Sequence, residues 1–163
     1  VNRNQEMCMF APALRRGFSL IELVIVVVII GIIAAIAIPR MSRGAAGAAD
    51  SSLEANLKIL RGAIDLYETE HGRLPTAADI VGQLTQYTDE AGNVSATKTT
   101  TAIFGPYLRA IPPLPVGAKK GATGIAASDA AGVGWIYDAA TGTIRANTTA
   151  TEVDARGRRY DQY

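Results

Sequence analysis

RRGFSLIELVIVVVIIGIIAAIAIPR, residues 15–40, decides how the rest of this chain is read. Between Phe18 and Ile38 only Ser19 and Glu22 are plainly polar. At about 1.5 Å per helical residue, such a run crosses a hydrocarbon core of roughly 30 Å. Arg15 and Arg16 stand directly before it with no acidic neighbour, a bias that holds the N-terminal side in the cytoplasm. The expected topology is one span, with everything after it delivered outward.

Glu22 is out of place in such a run. An ionisable group inside an apolar span costs on the order of 3 kcal/mol on insertion scales, and groups that persist there have a nameable partner. A cut between Gly17 and Phe18 would create that partner, because the new α-amine lies four residues before Glu22, on the same helix face. A bare ammonium opposes the helix dipole at this end and a carboxylate complements it, so pairing relieves both, within a chain or between chains.

Gly17 before Phe18, a glutamate four residues on, a long Ile/Val/Leu run, Gly31 inside it and Pro39 at its end together resemble the class III signal of type IV pilins and type II secretion pseudopilins. The resemblance implies a membrane prepilin peptidase that cuts after Gly17 and methylates the new N-terminal Phe18. It further implies that Glu22 neutralises the N-terminus of a neighbouring subunit during assembly, and that the helix loosens between Gly31 and Pro39 in the filament. A plain single-pass anchor leaves Glu22 unexplained. Ala35-Ile36-Ala37 suggests a secretory cleavage site, and Arg15-Arg16 with Phe18 and Leu20 partly resembles a twin-arginine signal, but a glutamate in the apolar region fits neither.

The chain has 163 residues and a net charge of +1, enough for one small domain besides the apolar element. Its single cysteine, Cys8, precedes the proposed cut, so the mature chain has no disulfide to use. Loss of residues 1–17 removes Arg3, Arg15, Arg16 and Glu6, leaving 13 basic and 14 acidic side chains. That balance offers no basic field, and no nucleic-acid partner is expected. The leader, with Pro12 and no apolar core, reads as a cytoplasmic tail.

Beyond Pro39 the sequence stays compatible with a helix, softened at Gly44 and Gly47. Leu53, Leu57, Leu60, Ile64 and Tyr67 then recur at spacings of four and three, an amphipathic face that needs a cover. One long helix from Phe18 to about Glu70, kinked near Pro39, is expected, stopped by Gly72 and Pro75. His71 reads as a cap or surface group. Thr76 with Asp79 resembles a capping box for a short helix ending near Tyr87. Residues 88–101 read as a surface loop, and 104–113 as an extended, proline-rich segment docked on the helix. The Gly/Ala-dominated run 115–134 reads as a flexible connection, and the charged tail 151–163 as mobile. Trp135–Asp138 and Thr143–Asn147 around AATG form a hairpin with a four-residue loop, which must lean on Leu57, Leu60 and Ile64. The Tyr67, Gly72, Pro75 spacing and GWIYDAATGTIRAN also resemble pseudopilin sequences.

The sequence has no nucleophile elbow, CxxC or HExxH, and no enzyme activity is expected. No cofactor is expected either, beyond a possible structural Ca²⁺. Asp89, Glu90 and Asn93, or Asp129 and Asp138, offer oxygen ligands for it without matching an EF-hand spacing. The expected fold is α+β and lollipop-shaped. A leader (1–17) precedes a transmembrane assembly helix (18–38), its amphipathic continuation (39–71) and a small extracytoplasmic head (72–163).

The expected function is that of a pseudopilin in a type II protein secretion filament. Its partners would be copies of itself, other pseudopilins, the prepilin peptidase and the inner-membrane assembly platform. The expected location is the bacterial inner membrane with the head in the periplasm, and then a periplasmic or surface filament. The alternatives are a type IV pilin or minor pilin serving adhesion, motility or DNA uptake, and a non-assembling anchored binding module.

Overall fold

The computed structural model describes residues 18–163, except the side chains of 38–43. Helix α1 runs Leu20–His71 and therefore passes through positions 31 and 39. By contacts the chain divides at Met41/Ser42 into two units.

In the first unit, α1 from Leu20 to Ala37 is apolar but for Glu22, and none of these 18 residues is buried. A helix without a continuous polar face has no reason to choose one side to bury in water, and among the described residues of its unit this stretch packs against nothing. It is long and apolar enough to cross a membrane.

In the second unit, the same helix becomes one-sided. Leu53, Leu57, Leu60, Ala63, Ile64 and Tyr67 are buried, whereas Ile59 and Leu66 on the outer face stay about half exposed. Each such leucine or isoleucine removed from water contributes on the order of 2 kcal/mol before entropy is counted. The cover is the three-stranded sheet β3 (Gly124–Ala126), β4 (Val133–Asp138) and β5 (Thr143–Ala146), in that order. β3 pairs parallel to β4, and β4 antiparallel to β5. As the central strand, β4 is buried from Val133 to Tyr137, and Trp135, Tyr137, Ile144 and Ala146 join the α1 leucines in one core cluster. The expected AATG loop joins β4 to β5, closed by a Gly142 N–H to Asp138 C=O bond of 2.9 Å.

Two proline-flanked segments are tied in by aromatic donors. Trp135 Nε1 donates to the Pro112 carbonyl at 2.9 Å, and the Tyr137 hydroxyl donates to the Pro75 carbonyl at 3.1 Å. The 104–113 segment docks on α1 through Ile111, buried in the cluster with the α1 leucines, and the Tyr107 hydroxyl, which donates to Glu70 at 2.6 Å, and it is also tied to the Leu84 carbonyl by the Tyr107 and Leu108 amides. Helix α2 spans Ile80–Thr85. Thr76 Oγ1 accepts from the Asp79 amide, but the helix proper begins after Asp79, so the threonine closes a preceding turn and does not cap α2.

Three expectations are corrected. Residues 88–101 are not simply loop: β1 (Tyr87–Thr88) pairs antiparallel with β2 (Val94–Ser95). The Gly/Ala run 115–134 carries β3, because glycine there admits close backbone approach. A Cβ on Gly134 would lie 2.3 Å from the Ala122 carbonyl oxygen, and one on Gly124 2.7 Å from that of Gly132. The tail is packed, not free. Asp154 is buried and accepts from the Arg156 and Arg158 amides and the Tyr163 hydroxyl, while the Tyr160 hydroxyl, Arg158 and the Tyr163 carbonyl engage Asp50, Glu54 and Arg61 of α1.

Candidate functional site

The site indicated by the sequence is the N-terminal end of α1. Ser19 is its N-cap: the Ser19 carbonyl accepts the first helical bond, from the Leu23 amide, at 3.2 Å. The Glu22 carboxylate turns back one helical turn and accepts from the Ser19 amide, Oε2 to N, at 3.2 Å. This is the carboxylate half of a capping box, in which a group at the third helical position satisfies an orphan donor at the cap. The sequence carries the signal for this cap, Ser-x-x-Glu before an apolar run, beside the α-amine expected as the Glu22 partner after cutting. With the chain continuous through Phe18, the carboxylate binds a backbone N–H of its own helix.

Phe18, immediately before the cap, is 78% exposed. Everything after Glu22 up to Ala37 presents aliphatic side chains outward, with Leu23 59% and Ile30 59% exposed. A carboxylate is thus carried on the first turn of a helix whose surface from Leu23 to Ala37 is hydrocarbon. Gly31 lies inside this run, and a Cβ placed there would meet nothing within 4 Å. Among the described residues, no packing demands glycine at that position. Arg15, Arg16 and Gly17 lie outside the described residues, as does the side chain of Pro39.

The calcium candidates fall in separate places. Asp89 accepts from the Asn93 amide and Nδ2, both at 2.9 Å, and these bonds hold its carboxyl below the usual range. Asp89 and Glu90 line an open cavity of about 600 Å³ with Thr100, Thr101, Ile103 and Phe104. Asp129 is paired with Lys119 and accepts from Asn147 Nδ2, and the lysine bond, then the amide, lowers its carboxyl. Asp138 accepts from the Ala140 amide and the Thr141 hydroxyl within its own turn, which lowers it as well. Among the described residues, no group of three or more His, Cys, Asp or Glu is placed to hold a metal ion.

No curated protein and no solved structure matches the chain. Residues 13–38 match the family model described as the prokaryotic N-terminal methylation motif, so the region holding the Ser19–Glu22 cap and the exposed apolar helix is a class III signal of the type IV pilin and pseudopilin kind.

Proposed function

We propose that the chain is a structural subunit of a pilus-like filament, a pseudopilin of a type II protein secretion system, anchored in the bacterial inner membrane before assembly. The observation that carries this reading is a methylation motif at residues 13–38 whose helix bears one carboxylate, Glu22, and is otherwise apolar and unburied from Leu20 to Ala37. In this reading a prepilin peptidase cuts after Gly17, with Arg15 and Arg16 holding the leader in the cytoplasm, and Phe18 is then methylated. Cutting gives Glu22 a choice of donors: the Ser19 amide it already holds, its own Phe18 ammonium, or that of a neighbour. Assembly selects the neighbour, because the incoming ammonium needs a counter-charge where water is absent. Gly31 and Pro39 are where the helix would loosen. The head contributes packing and surface and performs no chemistry.

Secretion is preferred to adhesion because residues 18–163 hold no cysteine pair, whereas such a pair would favour an adhesive type IV pilin. Intact-mass measurement of the membrane-extracted chain tests the processing step. A mass starting at Phe18 plus one methyl group is expected. A start at Ile38, or a retained leader in assembled protein, overturns the reading. Deleting the gene and assaying exoprotein release beside surface pili separates the secretion role from the adhesive one.

A further inference from the structure

His71, the single histidine of the chain, closes the last turn of α1 with both ring nitrogens committed. Nδ1 lies 3.1 Å from the Tyr67 carbonyl oxygen one turn back, and Nε2 lies 3.1 Å from the Asp89 carbonyl oxygen just past β1. The ring stacks on Tyr67 with centroids 4.0 Å apart and planes 6° from parallel, and Phe104 closes another side at 4.8 Å. The ring thus bridges the end of α1 and the β1–β2 turn.

A carbonyl oxygen only accepts, and a neutral imidazole has a single N–H to give. Either neutral tautomer therefore leaves one ring lone pair aimed at a carbonyl. The Thr88 hydroxyl, 3.1 Å from Nε2, can donate to that nitrogen when Nδ1 carries the hydrogen, but the Asp89 carbonyl then loses its partner on the ring. Only the imidazolium donates to both carbonyls, and its charge then lies over the face of Tyr67.

The groups facing the ring are few. From α1 come Tyr67 and Glu70, and from the docked segment comes Tyr107, whose hydroxyl donates to Glu70 Oε2 at 2.6 Å and lies 3.5 Å from Nδ1. From the β1–β2 turn comes Asp89, its carboxylate turned away to Asn93, while Arg73 reaches the Glu90 carbonyl at 3.1 Å. Burial raises both the Tyr67 and Tyr107 hydroxyls, so these two stay protonated near neutrality.

We propose that His71 is a proton-operated latch between the end of α1 and the β1–β2 turn: the protonated ring holds both carbonyls, and loss of the proton frees the Asp89 side. The inference goes beyond the assembly reading and does not depend on it. The test is amide hydrogen exchange on the full chain in detergent micelles from pH 5 to 8, expressed as protection factors so that intrinsic exchange cancels. The Thr88, Asp89 and Gly92 amides, which close this turn onto Phe104, Asn93 and Asp89, should lose protection roughly fivefold between the acid and the alkaline end of that range, while Leu57 and Leu60 keep theirs. His71→Gln retains an amide donor but does not titrate, and should flatten the profile. Constant turn protection in the wild type, or an equal fall in His71→Gln, overturns the latch. Imidazole ¹⁵N shifts supply a reading independent of the variant: two protonated nitrogens at pH 5 are expected, and a neutral ring at pH 5 would refute it.

Discussion

Two stretches of one helix carry similar aliphatic residues in opposite circumstances. Val24, Ile29 and Ile33 are about half exposed, whereas Leu53, Leu57 and Leu60 are sealed. The difference is not hydrophobicity. It is that Glu54, Lys58 and Glu68 give the later stretch a wet face, so the opposite face becomes the one that a sheet can cover. The earlier stretch has no such wet face, and the surroundings that would stabilise it are lipid tails or other helices, where close packing replaces the hydrophobic effect as the driving force.

Glu22→Ala should break the comparison most completely. Membrane insertion and processing should persist, since a costly charge has left the span, while filament yield falls to background when processed monomer and filament are measured separately. Normal filament from the variant alone would leave the carboxylate as no more than a cap on Ser19. Next comes Trp135→Ala, which empties the centre of the head. A loss of about 3–5 kcal/mol in denaturant unfolding is expected, against no change in head unfolding for Val27→Ala in the span. Gly134→Ala should cost about 1–3 kcal/mol, because the added Cβ collides with backbone and not with a side chain that can swing away. A wild-type midpoint for this variant would mean that β3 can shift away from β4.

A smaller effect is expected from pH. The Tyr163 hydroxyl first, with the Arg158 and Arg156 amides, holds the Asp154 carboxyl below its ordinary value. A depressed folded value means that its stabilisation is complete above the unfolded pKa of about 3.9 and is lost as pH falls through the folded one. Thermal midpoints should therefore drop below about pH 4, less steeply in Asp154→Asn. The smallest effect is calcium against chelator. Equal midpoints are expected, because Asp89, Asp129 and Asp138 already accept from protein donors. A rise with calcium would assign one of these carboxylates, or Glu90, a ligand role.

The parts of the fold legible in the sequence were those set by periodicity. The α1 core face from Leu53 to Tyr67 and the hairpin around Ala139–Gly142 follow from spacing and turn chemistry that act within a few residues. The parts that escaped are set by partners far along the chain. β3 is three residues long in a run of Gly and Ala, with too little side chain to show a period, and it exists because β4 offers a parallel edge. The tail looked like free charge because Asp154, Arg158 and Tyr160 find their partners on one another and on α1. At the candidate site, the apolar run and Glu22 were plain. The Ser19 cap is equally legible as Ser-x-x-Glu, but the same glutamate also suits an amine created by cutting, and the letters alone do not rank the two donors.

The bonds of the tail have a further consequence in time. Tyr160 to Asp50, Arg158 to Glu54 and the Arg61 bond to Tyr163 span 110, 104 and 102 positions of sequence. Contacts of such reach cannot form while the chain is still being synthesised, since the α1 residues are made first and their partners about a hundred residues later. Local helix can form early, but these tail contacts are reserved for a late event, slowed by the entropy of closing a long loop. A chain interrupted before these residues would present Asp50, Glu54 and Arg61 uncovered, so that an unfinished subunit differs in surface charge from a finished one.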